Sequence, residues 1–319
     1  MAFVLAVRNE EQDLAGTVAS IRAQRGGAGE LAIAVAPSDD DTRAVAHALA
    51  DDDSSIVVVD NPVGWVSHGL NLAIAATSAP VVVRVDGHCT LPPDYTATAL
   101  EALDRTGADV VGGVQAAAGE PGTQQAVAVA MSSRLGVGNS RFHYGGAEGP
   151  SDTVYLGVFR RSALDRVGGF DETLLRNQDY ELNWRIRDSG GRVWFTPELV
   201  VTYRPRPSLR ALASQYRQYG TWKREMLRRH PRSLRARQLA PPVMVIGLTA
   251  TLVAAVWAEL AVLTLPTVGY LMGVVAGGLA AGRGYPPATQ LRVPLALAVM
   301  HWTWGLGFLF GRPLPPPEA

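Results

Sequence analysis

Val81-Val82-Val83-Arg84-Val85-Asp86-Gly87-His88 reads as a buried strand that runs straight into a polar mouth. Three consecutive valines leave no polar face, so both sides of such a strand must be covered, as in a parallel sheet between helices. Short apolar runs at 3–7, 31–36, 56–59 and 109–114 repeat the pattern, alternating with helical stretches near 11–24, 41–50, 66–77 and 93–105. That rhythm predicts βαβ units in an α/β domain with a Rossmann-like, mostly parallel sheet, and ligands at the carboxyl ends of the strands. Arg8-Asn9-Glu10, Pro37-Ser38-Asp39-Asp40, Asn61 and Asp86-Gly87-His88 each follow a strand, as that geometry requires.

Further along, residues 116–152 are rich in Gly, Ala and Ser, punctuated by Gly136-Val137-Gly138-Asn139 and Gly145-Gly146. Such punctuation predicts a lid or acceptor loop over the site. Val154 to Phe159 then returns as a strand, 171–188 carries a helix with Asp179, and Val193–Phe195 with Leu199–Tyr203 rejoins the sheet. A domain over residues 1–205 is expected.

The chain of 319 residues balances 29 basic against 29 acidic side chains, but the balance conceals a division. Residues 1–200 hold 15 Lys and Arg against 26 Asp and Glu, whereas residues 201–239 hold 11 against 1. A basic run just ahead of long apolar segments marks the cytoplasmic face of a membrane and its anionic lipids, and nucleic acid is not an expected partner. Within residues 206–239, a helix over 208–229 sets Leu209, Leu212, Tyr216, Tyr219 and Met226 at roughly helical spacing. An interfacial helix is one reading of it, and packing against the preceding domain is the other.

Three apolar segments follow at 241–264, 266–282 and 291–311, so that residues 240–311 form a membrane region and 312–319 a tail. The positive-inside rule makes this N-in and C-out, with a short, glycine-rich middle segment that also suits a re-entrant hairpin. Glu259 is expected inside the first span, where an ionised carboxylate is costly. Cys89 is the only cysteine, which excludes an intrachain disulfide and a multi-thiolate zinc site. Met1 to Val7 reads as a first strand rather than a signal peptide. Arginine outnumbers lysine 28 to 1 and alanine is abundant, a composition typical of high-GC bacteria.

Asp86 and His88, one residue apart at the mouth of a buried strand, suit a divalent cation that holds a diphosphate. They equally suit a plain turn in which Asp86 caps the next helix. Arg84 adds positive charge for the same phosphates or serves as an ordinary ion-pair residue. Asp179, in Asn177-Gln178-Asp179, offers a carboxylate that can deprotonate an acceptor hydroxyl, or else favours the helix dipole. Asp39 can hydrogen-bond a nucleotide or simply belong to a solvated helix start, and His143 and Tyr144, between glycines of the expected lid, can touch acceptor or lie on plain surface. His68 and Asn71 read most simply as helix residues.

With these residues in order, the chain resembles the family 2 glycosyltransferases of GT-A fold, and within them a bacterial membrane-associated group that builds exopolysaccharide. Val7-Arg8-Asn9-Glu10-Glu11 matches the opening motif, Ser38 to Thr42 the acidic loop, Asp86-Gly87-His88 the DxD position, and Gln178-Asp179-Tyr180-Glu181-Leu182 the Glu-Asp-x-x-Leu motif. Val154 to Arg161 and Gly168-Gly169-Phe170-Asp171-Glu172 match the acceptor-side pattern.

The resemblance implies a GT-A catalytic domain followed by C-terminal transmembrane helices. It implies Asp86 and His88 as ligands of Mg²⁺ or Mn²⁺ with the diphosphate of a nucleotide-diphosphate sugar, Asn9, Glu10 and Asp39 around its nucleotide, and Asp179 as the base; Arg84 is expected at the same phosphates from its charge and place alone. His143, Tyr155 and Gln178 are expected toward a lipid-linked or glycolipid acceptor. Four positions depart from the pattern: Ala6 for proline, Val35-Ala36 for a base-reading aspartate, His88 for the second DxD aspartate, and Tyr203 for a histidine. Gln215 to Tyr219 lacks the Gln-x-x-Arg-Trp of processive synthases, which implies transfer of a single sugar.

The expected function is therefore an inverting, metal-dependent transferase in the bacterial cell membrane, multi-pass, with its catalytic domain cytoplasmic. The alternative is a membrane-tethered binding or scaffold protein that keeps the fold without turnover. A nicotinamide oxidoreductase is disfavoured because no Gly-x-Gly-x-x-Gly follows the first strand.

Overall fold

The computed structural model describes residues 1–25 and 29–314, so residues 315–319 of the expected tail lie outside the described residues. Two compact units emerge, Met1–Gln115 with Gly145–Thr202 and Ala116–Tyr144 with Tyr203–Leu314.

In the first unit β1 (Ala2–Val7), β2 (Glu30–Val35), β3 (Ile56–Asp60) and β4 (Val81–Arg84) alternate with α1 (Leu14–Arg22), α2 (Thr42–Asp52), α3 (Val66–Ala75) and α4 (Tyr95–Thr106). These strands pair in parallel, β1 lying between β2 and β4 and β2 beside β3. Chain order therefore turns back on itself at β1 and β4, and the carboxyl ends of these two strands open the crevice where α/β sheets bind ligands. Phe3, Leu5, Val7, Val83 and Val85 are buried against Leu14, Ile21, Tyr95 and Leu103. Burying each large side chain contributes about 1.5–3 kcal/mol, which offsets the entropy of ordering the strands.

Beyond β4 the sheet turns mixed. β5 (Val110–Ala117) is followed in the first unit by β6 (Gly149–Pro150), β7 (Tyr155–Arg160) and β8 (Val193–Tyr203), and the sheet order is β3-β2-β1-β4-β7-β5-β8-β6. β7 inserts antiparallel between β4 and β5, so the 109–114 run does not sit beside the 81–85 run. Gly112 permits this arrangement: a Cβ there would stand 2.6 Å from the Tyr155 carbonyl oxygen, at a register shift in the β5–β7 ladder. Backbones approach this closely only where a side chain is missing. α7 (Arg161–Val167) and α8 (Gln178–Asp188) complete the unit.

The second unit begins with α5 (Thr123–Met131) and α6 (Arg134–Val137), inside the stretch expected to be a lid. That expectation is corrected, because Ala126 to Met131 are six consecutive buried residues and α5 packs with the C-terminal helices. A helix apolar all round carries no amphipathic period, and its small alanines mimic loop composition. Gly122 N–H donates to Thr289 Oγ1 and Gln124 Nε2 to the Pro205 carbonyl, tying this early segment to residues far along the chain. Residues 116–144 thus group apart from the rest of the expected 1–205 domain.

α9 (Leu209–Arg229) fills the expected 208–229 helix, and α10 (Ala240–Trp257), α11 (Leu265–Ala281), α12 (Pro287–Gln290) and α13 (Val293–Phe310) follow. Three stretches, Ala236–Ala258, Ala261–Ala281 and Pro287–Phe310, are long and apolar enough to cross a membrane. The face of α9 expected at the headgroup boundary is instead covered by α13. Gly220 lies against the Trp304 carbonyl and Gly307 against that of Arg217, while Arg224 donates to the Leu309 and Gly311 carbonyls that end α13. Glu259 is corrected as well: it sits beyond α10 in the link to the next span, exposed and in the left-handed region at φ 53°.

Candidate active site

Two strand ends and one helix start build the site. β1 ends at Val7, and the chain turns through Asn9 at φ 57°, a conformation that asparagine tolerates better than most residues. Asn9 Oδ1 accepts from Asp39 N–H and Asn9 N–H donates to Ser38 Oγ, while Glu10 N–H donates to Thr42 Oγ1. The two loops expected around a nucleotide are therefore stitched together by backbone N–H groups of each that donate to side-chain oxygens of the other. A polar cleft of about 230 Å³ opens here, lined by Asn9, Glu10, Glu11, Gln12, Asp13 and Asp40. Asp39 is exposed at its edge.

β4 delivers the second part. Gly87 packs under β1, where an added Cβ would meet Val7 Cγ1 at 2.8 Å and Glu10 Cγ at 3.0 Å, and its carbonyl accepts from Thr17 Oγ1 at 2.8 Å. That close approach lets His88 Nδ1 reach Glu10 Oε1 at 2.8 Å. The Glu10 bond holds the His88 proton more tightly than usual against the opposing effect of burial. Glu10 thus orients an imidazole while also lining the cleft, a partnership that residue spacing did not reveal.

Arg84 holds the third part. Its Nη2 donates to Asp86 Oδ1 at 2.6 Å and its Nη1 to Asp179 Oδ2 at 2.8 Å, with 8% of its side chain exposed. Burial opposes the guanidinium charge, but Asp179 and Asp86 outweigh it and hold Arg84 firmly protonated. The enclosing protein pushes the Asp179 carboxyl above the usual carboxylate range while Arg84 pulls it down. Asp179 lies in the first turn of α8, beside buried Gln178 and after Asn177, whose φ of 64° ends the preceding turn. Two carboxylates ninety-three residues apart are thereby brought to one guanidinium.

Tyr155, expected toward an acceptor, points its hydroxyl at Asp86 Oδ2 across 3.4 Å and lies 3.8 Å from Cys89 Sγ. Burial pushes the Tyr155 phenol well above its ordinary value, so it stays a neutral donor, and pushes the Cys89 thiol up to about 12. A buried neutral thiol is no nucleophile. His143 belongs to the second unit, in a single 3-10 turn at Arg141–His143, where burial and the Arg237 charge bring its pKa down to about 3.

His68 and Asn71 behave as framework. Asn71 bonds the Phe170 backbone on both sides, at 2.9 Å each, and Glu172 Oε1 at 2.7 Å, while His68 Nδ1 meets Glu172 Oε2 at 2.9 Å. This clamp fixes the Gly168-Gly169 turn, with both glycines at positive φ, ahead of α8. Arg185 adds a second brace, pairing with buried Glu181 and donating to the Val167 and Gly169 carbonyls.

Among the described residues no three His, Cys, Asp or Glu side chains form a group fit to hold a metal. Asp86 and His88 nevertheless fit a hard cation that arrives with a diphosphate, since such ions take one or two protein ligands and fill the remainder with phosphate oxygens and water. Glu10 on Nδ1 leaves Nε2 as the ligating nitrogen, the usual orienting arrangement for a metal-binding histidine.

Comparison with known proteins agrees with this geometry. The family model described as glycosyl transferase family 2 matches residues 2–168. The chain is 32% identical over 284 residues to succinoglycan biosynthesis protein ExoA of Rhizobium meliloti, covering 87% of this chain and 84% of that protein. Among solved structures it is similar to the mannosyltransferase PcManGT of Pyrobaculum calidifontis in complex with GDP-Man and Mn²⁺, with TM-score 0.57, 18% identity and 94% and 85% of the two chains covered. It is also similar to S. aureus TarS 1–349, with TM-score 0.53, 11% identity and 96% and 89% covered. A GT-A sheet whose switch-point strands end in Asn9-Glu10 and Asp86-Gly87-His88, matched by that family model and by a relative along most of its length, identifies the chain as a glycosyltransferase of family 2.

Proposed function

We propose that the protein transfers one sugar, with inversion, from a nucleotide-diphosphate donor to a membrane-associated acceptor, a polyprenyl-linked saccharide or glycolipid, in bacterial cell-envelope or exopolysaccharide synthesis. The observation that carries this reading is the convergence of Asp86 and Asp179 on Arg84, which gives a donor-side and an acceptor-side carboxylate one shared locus. The likeness to ExoA supports polysaccharide synthesis, and that to PcManGT supports a nucleotide sugar held with a divalent ion.

In this mechanism Asn9, Glu10 and Asp39 border the nucleotide, and Asp86 with His88 Nε2 would hold Mg²⁺ or Mn²⁺. Such an ion, when bound, neutralises charge on the departing diphosphate. Asp179 accepts the proton of the acceptor hydroxyl as that oxygen bonds to the anomeric carbon. The bond from the anomeric carbon to the diphosphate oxygen breaks, and the nucleoside diphosphate leaves with the electron pair. A single displacement of this kind inverts the centre and needs no enzyme nucleophile, in keeping with the neutral, buried Cys89 thiol. Tyr155 lies beside Asp86 and Gln178 precedes Asp179, and by the positive-inside rule the basic stretch before the first span supports a cytoplasmic catalytic unit.

The test is nucleoside diphosphate release by full-length protein in detergent with Mn²⁺, a panel of sugar nucleotides and a bacterial lipid extract. Wild type is expected to turn over with one donor, and Asp179→Asn to lose at least about 100-fold in rate while still shifting its melting temperature with that donor. Equal inactivity of both proteins across the panel would favour the scaffold reading.

A further inference from the structure

Arg84 invites a phosphate-binding role, since it stands two residues before Asp86 and carries a permanent charge. Its surroundings argue otherwise. Both terminal nitrogens are taken by carboxylates, at 2.6 and 2.8 Å, and the side chain is almost fully enclosed. Nε is buried with no hydrogen-bond partner. A guanidinium built for a diphosphate would present its fork outward, and one built for stability would not leave a donor orphaned. Buried ion groups are in any case poor stabilisers compared with apolar packing of the same volume. The arrangement makes sense as a spacer. Arginine is the one side chain whose rigid planar fork holds two carboxylates at a fixed separation, and lysine has no equivalent.

Resting on the functional reading above, we propose that Arg84 is a positioning residue that acts through Asp179: it fixes the base relative to the donor-side Asp86 and makes no productive contact with the donor phosphates. The link joins the end of β4 to the first turn of α8, two elements distant in sequence. It also explains why the site tolerates two acidic groups so close together, because one cation serves both. Asp86 remains available on its Oδ2 side, where the Tyr155 hydroxyl stands at 3.4 Å.

The experiment uses the full-length protein with whichever UDP- or GDP-linked hexose supports turnover. Arg84→Met is expected to lower kcat at least about 100-fold, with the donor KM and the nucleoside diphosphate affinity in Mn²⁺ staying within about threefold. Arg84→Lys is expected to recover little, whereas free guanidinium ion added to Arg84→Ala is expected to restore at least about tenfold. Adding Arg84→Met to Asp179→Asn is expected to cost no further rate, since the arginine acts through that carboxylate.

A donor KM and nucleotide affinity that weaken together, with kcat retained, would make Arg84 a phosphate ligand and overturn the proposal. Lowered melting temperature with kcat and KM unchanged per folded molecule, and no response to guanidinium, would make it a structural ion pair and overturn it equally. An inactive wild type fails the functional reading itself, whereas an active wild type matched by an active Arg84→Met fails only this inference.

Discussion

At the residue scale, the acidic and imidazole side chains announced themselves by type and place, but their partners did not. Asp86-Gly87-His88 was legible because an apolar strand ends there. Glu10 was legible as a strand-end carboxylate near the nucleotide, but its bond to His88 depends on β1 and β4 lying side by side. Removing it frees the imidazole to rotate. Glu10→Ala is expected to weaken Mn²⁺ binding in the presence of nucleoside diphosphate by about 10- to 100-fold, as measured by calorimetric titration. Gly87→Ala is expected to act in the same direction, because its methyl group meets Val7 Cγ1 and Glu10 Cγ at 2.8 and 3.0 Å and pushes the carboxylate away. No change in affinity in either variant would remove Glu10 from the site.

At the scale of elements, the clamp between α3 and the 168–172 turn sets where α8 begins, and with it Asp179. Asn71→Ala deletes the three side-chain bonds to Phe170 and Glu172 and leaves the partly buried Phe170 backbone unsatisfied. A loss of about 1–3 kcal/mol is expected in denaturant unfolding, accompanied by a lower kcat. The 3-10 turn at Arg141–His143 carries a pH dependence. The folded pKa of His143, about 3, lies below the ordinary 6.5, so between these values the unfolded chain binds the extra proton and stability rises with pH. The melting temperature of the wild type should therefore fall as pH drops from 7 toward 4, and His143→Gln should flatten that slope. A slope unchanged by the substitution would show that other groups cause it.

At the scale of the whole molecule, the C-terminal unit is held by backbone contacts that only glycine allows. A Cβ at Gly307 would overlap the Arg217 carbonyl, so Gly307→Val is expected to force α9 and α13 apart. Overpacking of this kind costs about 1–3 kcal/mol, and the readout is an earlier thermal transition in detergent. Three spans preceded by eleven basic residues in 201–239 should also leave the C-terminus outside the cytoplasm. An alkaline phosphatase reporter fused after residue 314 is expected to be active, and one fused after Gly284 inactive. The opposite pair of results would mean that the middle segment does not cross.

Local regularity wrote the parallel half of the sheet, the strand-end motifs, the basic stretch and the three apolar helices plainly into the sequence. A buried strand must be apolar on both faces, and a bilayer span must be long and uncharged, wherever either sits in a fold. Tertiary structure alone decided that β7 enters antiparallel beside β4, that α5 is a core helix and not a lid, and that α13 takes the apolar face of α9. It also decided that one arginine joins Asp86 to Asp179. Each of these depends on contacts between residues distant along the chain, and composition and spacing register only neighbours.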